Sequence, residues 1–156
     1  MKNFYNSFIK CTIVLAMVFS AQFISAQSSV DIVWTAGSYT SEVGFEIIDA
    51  AGNKVECEAT GWPGPSSSTI SLNPGVYEVY GFDSWGDGWN GGKLDVVAGG
   101  QNLGTYIMPN TGGYGTGFTN SCFSNSLSAN AFSLGSFEIL DCSITCPADI
   151  VVDNDP

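Results

Sequence analysis

The sequence contains no histidine and no arginine, and only four lysines against fifteen acids. Without histidine, neither a Ser-His nor a Cys-His nucleophile can be assembled. The usual Cys and His ligands of structural zinc are equally lacking, since no Cys-x-x-Cys pair occurs either. Nucleic acid and anionic membranes are held by clustered Lys and Arg. Lys2 and Lys10 lie at the extreme N-terminus, and Lys54 and Lys93 are scattered, so neither partner is expected. No apolar run reaches the roughly 18 to 20 residues that cross a bilayer, so no membrane insertion is expected. No sustained helical period is present, which points away from helical architectures.

What the N-terminus does hold is the charged, apolar, small-residue order of a cleavable secretory signal. Lys2 and Lys10 precede the apolar stretch from Cys11 to Phe19, and Ile24-Ser25-Ala26 closes it before Gln27. Residues 1–26 are therefore expected to be removed, giving a secreted or cell-surface product that begins at Gln27. Beyond Ala26 stand all fifteen acids and two lysines, a formal charge of −13. Such a domain repels itself unless something offsets the charge, and divalent cations are the readiest counter-charge outside a cell. Cys57, Cys122, Cys142 and Cys146 also remain, and in an exported chain they are expected to be oxidised, with three pairings open.

Short β-rich runs recur at residues 30–35, 43–48, 54–59, 68–72, 76–82, 93–97, 103–108 and 132–140. Turn residues separate them. Asp49-Ala50-Ala51-Gly52-Asn53 can close a hairpin, and Asn73-Pro74-Gly75 supplies a turn before Val76, because Gly and Asn tolerate positive φ and Pro fixes its own. This pattern predicts an all-β domain, a β-sandwich or jelly roll, over residues 28–141. Within 76–82 the alternation sets Tyr77, Val79 and Gly81 against Val76, Glu78, Tyr80 and Phe82.

The chemistry concentrates in Asp83-Ser84-Trp85-Gly86-Asp87-Gly88-Trp89-Asn90-Gly91-Gly92. Calcium takes six to eight oxygens from carboxylates, amides and carbonyls, and a loop that alternates acids and amides with glycine can converge them. An EF-hand is ruled out, because its third and twelfth ligand positions would be Trp85 and Leu94 and no flanking helices are indicated. A neighbouring strand would have to complete the shell, with Glu42 preferred over Asp95 and Asp49. The expected metal set is thus Glu42, Asp83, Asp87 and Asn90. The competing structural reading is a glycine-rich hairpin in which Asp83, Asp87 and Asn90 bond their own backbone and Trp85 and Trp89 cap the core. A further possibility is that Trp85 and Trp89 present aromatic faces to a sugar.

Together with Ser41-Glu42-Val43-Gly44-Phe45-Glu46-Ile47 and Pro74-Gly75-Val76-Tyr77, the ten-residue string resembles a module repeated in large secreted and surface proteins of bacteria. That module carries an Asp-Ser-Tyr/Trp-Gly-Asp-Gly-Trp-Asn-Gly signature. The likeness covers roughly residues 30–140, and it implies a β-sandwich and suggests calcium. Residues 144–152, Ile-Thr-Cys-Pro-Ala-Asp-Ile-Val-Val, are similar to the opening strand of a hyalin repeat, an immunoglobulin-like module of extracellular adhesion proteins. Residues 142–156 then form the start of a second module, and the chain reads as the N-terminal piece of a longer protein. The resemblance further implies that Cys146 pairs beyond Pro156, leaving Cys57, Cys122 and Cys142 for one disulfide and a spare thiol.

These readings converge on a non-catalytic, calcium-stabilised module of a secreted or surface adhesin-like protein with an extracellular protein or glycan ligand. The alternative is a carbohydrate-binding module accessory to a secreted enzyme. Paired-carboxylate catalysis within this segment is not expected, because a glycine-rich surface loop supplies neither an enclosed pocket nor a positioned acid.

Overall fold

A computed structural model describes residues 26–112 and 119–141. The expectations for the signal segment over residues 1–25 and for the hyalin-like tail, with Cys142 and Cys146, lie outside the described residues.

The domain is all-β. Among the described residues eight strands follow one another as β1 Ser28–Thr35, β2 Val43–Asp49, β3 Lys54–Glu58, β4 Ser68–Leu72, β5 Gly75–Asp83, β6 Lys93–Ala98, β7 Gln101–Tyr106 and β8 Phe132–Ile139, with a single 3-10 turn at Thr40–Glu42. They form two antiparallel four-stranded sheets, ordered β4-β1-β6-β7 and β3-β2-β5-β8, which make a β-sandwich. Among the described residues no helix is long and apolar enough to cross a membrane.

Period-two burial builds the core. Val30 and Ile32 of β1 and Leu94 and Val96 of β6 face Phe45 and Ile47 of β2, Tyr77 and Val79 of β5, and Phe137 and Ile139 of β8. The turns follow from local chemistry. Asp49 Oδ1 accepts from the backbone N–H of Ala51 and Asn53 at 2.9 and 2.8 Å, and Gly52 takes φ +84°, closing the β2–β3 hairpin. Gly99 and Gly100, at φ +56° and +77°, form the two-residue β6–β7 turn, and this starts β7 at the polar Gln101, two residues before the apolar pattern does. The turn at Asn73-Pro74-Gly75 exists, but it carries the chain from one sheet to the other.

The outer side of β2 and β3 is covered by the segment from Thr119 to Ala131, which bonds Glu46, Lys54 and Glu58. A disulfide joins Cys57 of β3 to Cys122 of this strap, settling which of the open pairings involves those two residues. Beside it, Asn120 accepts from Thr60 N–H at 2.9 Å and donates to Glu58 O at 3.0 Å. Glu46, which points outward from β2, is thereby fully buried. Its carboxylate pairs with Lys54 Nζ at 2.8 Å and accepts from the Oγ and N–H of Ser128 at 2.5 and 3.0 Å.

Candidate metal centre

Strand register brings the acids together. Val43 opposes Asp83 across β2 and β5, so Glu42, at the end of the 3-10 turn, falls beside the end of β5, and its carbonyl accepts from Ser84 N–H at 2.8 Å. Asp87 follows in the loop. One carboxylate oxygen from each of Glu42, Asp83 and Asp87 lies within 4.8 Å of the others. Asp83 is fully buried, while Glu42 and Asp87 are half-buried.

The loop itself is tightly tied. Asp83 accepts from Trp85 N–H at 3.0 Å and from Gly88 N–H at 2.6 Å, which folds the chain back over its own carboxylate. Asn90 Nδ2 donates to Asp87 Oδ1 at 3.1 Å and orients that group, and the Asn90 carbonyl accepts from Ser38 N–H at 3.1 Å. Gly86 O accepts from both the N–H and the hydroxyl of Thr111. Part of the hairpin reading is thus present, since Asp83 does bond its own backbone, but the three carboxylates still converge.

Nothing basic offsets them. Among the described residues the bases are Lys54, paired with Glu46, and Lys93, paired with Asp95 at 2.6 Å. The Glu42 carboxyl is accordingly held above its ordinary value of 4.5, by removal from water and by repulsion from Asp87 and Asp83. Asp95 and Asp49, the other acids considered for the shell, are engaged elsewhere. Asp95 bonds Lys93 and Thr105, and Asp49 caps its hairpin.

The two loop tryptophans part company. Trp89 is fully buried in the core, its indole edge-on to Trp34 at 5.0 Å and its Nε1 donating to Phe82 O at 3.0 Å. It therefore has no exposed face on which a ligand could stack, and the ligand-facing expectation for it does not hold. Trp85 is 55% exposed. It lines a hollow of about 270 Å³ with Tyr39, Glu42 and Asp87. Tyr39 was not legible as a site residue. The available signal is its setting among small and polar residues, Ala36-Gly37-Ser38-Tyr39-Thr40-Ser41, where no apolar alternation calls for a buried ring.

Close backbone approach fixes the loop against residue 37. A Cβ on Gly37 would lie 2.3 Å from Gly92 N and 2.5 Å from Asn90 O. Gly37→Ala is therefore expected to destabilise the domain by about 1 to 3 kcal/mol, the usual range for forced overpacking. Urea denaturation reads this directly, and an unchanged midpoint would show that the approach is not required.

No protein-family model, curated protein or solved structure matches this chain.

Proposed function

We propose that residues 28–141 are a calcium-stabilised, non-catalytic module of a secreted or cell-surface adhesin-like protein. The observation that carries the reading is the convergence of Glu42, Asp83 and Asp87 within 4.8 Å without a basic partner. Three carboxylates form an all-oxygen, hard-donor set, which suits a hard divalent cation and not a thiol- or imidazole-seeking metal. Asn90 completes the arrangement by holding Asp87 in place. Export is supported by the order of residues 1–26 and agrees with the Cys57–Cys122 disulfide, a bond of oxidising compartments. The non-catalytic reading rests on the missing histidine and on the engagement of Asp83 and Asp87 by hydrogen bonds within their own loop.

A ligand that binds only the folded state stabilises it by mass action, by about 2.7 kcal/mol at a hundredfold excess over Kd. The melting temperature is therefore expected to rise with calcium and to respond weakly to magnesium, which demands near-octahedral geometry and keeps its waters. Asp87→Ala should abolish the shift, and Asp31→Ala, on the exposed side of β1, should leave it intact. The pH dependence has a defined sign. Because folding raises the Glu42 pKa, its contribution to the metal-free domain is present below 4.5 and is lost as pH rises through the folded value, where calcium takes over the compensation. Calorimetry that detects no calcium at millimolar concentration, with no change in melting temperature, would defeat the proposal.

A further inference from the structure

The described chain exposes four aromatic side chains strongly: Tyr39, Trp62, Trp85 and Phe123. Two of them border the acidic site, and a third stands on a neighbouring loop. Tyr39 and Trp85 border the same hollow as Glu42 and Asp87. Trp62, 87% exposed, rides on a loop fastened to the turn that carries Glu42, through Gly61 N–H to Ser41 O at 2.7 Å and the Thr40 hydroxyl to Pro63 O at 3.5 Å. The remaining tryptophans, Trp34 and Trp89, pack against each other in the core. Burial thus divides the described tryptophans into a packing pair, Trp34 and Trp89, and a solvent-facing pair, Trp62 and Trp85, and Trp85 stands with Tyr39 beside the carboxylates.

We propose that this rim binds a neutral sugar ring, with two vicinal hydroxyls on the calcium ion and the ring's apolar face against Tyr39 or Trp85. The inference rests on the calcium reading and extends it. Three carboxylates converge on the metal position, and two of them also serve backbone or amide donors. Calcium takes six to eight oxygens, so the three carboxylates leave positions for oxygens from outside the cluster, and Glu42 and Asp87 both line the hollow. A diol fills two of these positions without adding charge. An anionic ligand would meet a domain that carries twelve acids against two lysines over residues 28–141, and long-range repulsion disfavours it. Aromatic faces complement the C–H faces of a pyranose, and both Tyr39 and Trp85 line the hollow.

The test uses a glycan array of neutral mannose-, fucose-, galactose- and glucose-containing structures, probed in calcium and in EDTA, alongside calcium-dependent melting. Binding to at least one class in calcium, lost in EDTA, is expected. Tyr39→Ala or Trp85→Ala should weaken capture by about tenfold or more, the loss typical of a central aromatic contact, while keeping the calcium-dependent melting shift. A calcium shift with no glycan captured overturns the sugar proposal alone. No calcium shift overturns both readings. Binding that persists in EDTA, or that is unchanged in both aromatic variants, also overturns it. An organic cation such as a partner's lysine would compete with calcium for the carboxylates, so it would bind best in EDTA, and that outcome would replace the sugar.

Discussion

Lys54→Met is expected to lower stability by about 3 to 5 kcal/mol, the loss seen when one partner of a buried ion pair is removed. In a domain of this size that is roughly 10 to 20 °C in melting temperature. The side chains of Lys54 and Glu46 are 5% and 0% exposed, and their contact is 2.8 Å. Removing the ammonium leaves a carboxylate sealed beneath the strap with only the two Ser128 donors. It also frees the strap at Ser121, whose carbonyl accepts from Lys54 Nζ at 2.9 Å. The double variant Glu46→Leu with Lys54→Met should regain much of the loss, because a matched apolar pair carries no stranded charge. Urea denaturation of the four proteins in a double-mutant cycle measures the coupling. A single variant within about 0.5 kcal/mol of wild type would place this pair in effective contact with water.

Trp89→Ala should be as severe, about 3 to 5 kcal/mol, because it empties the largest fully buried side chain in the described core. The consequence reaches the site. Trp89 anchors the Asp83–Gly92 loop from inside, through its backbone N–H to Met108 O at 3.1 Å and its indole N–H to Phe82 O at 3.0 Å. Calcium-dependent stabilisation should therefore shrink in this variant. Trp89→Phe keeps most of the apolar volume and loses only the indole hydrogen bond to the Phe82 carbonyl, and should cost less, about 0.5 to 1.5 kcal/mol for that bond. Trp85→Ala, at an exposed position, should leave the melting temperature nearly unchanged. A thermally stable Trp89→Ala protein would contradict the anchoring role.

The strand runs and the hairpin at Asp49–Asn53 were legible because period-two alternation and turn residues are local properties of the chain. So was the oxygen-rich loop, since acids and glycines at short spacing need no distant partner to be recognised. The choice of Glu42 over Asp95 and Asp49 was harder. It depends on Val43 standing opposite Asp83, and register between strands some forty residues apart is fixed only when both sheets bury their apolar faces. The tryptophans show the limit most clearly. Trp85 and Trp89 share one loop and have similar neighbours, yet one is solvent-facing and the other central to the core. A loop has no periodicity from which to infer its faces.

Glu46 and Lys54 were not legible at all. On an outward-facing strand position an acid reads as a solvated surface group, and only a covering segment more than sixty residues later in the chain makes it buried. The same holds for Cys57, whose partner Cys122 lies on that strap. By itself, then, the sequence determined the all-β class, the turns and the presence of a converging acidic loop, because backbone sterics and side-chain alternation act between near neighbours. The tertiary structure alone decided which strands share a sheet, which acids meet, which tryptophan is exposed and which charge is sealed, because these depend on burial and contacts between residues distant in the chain.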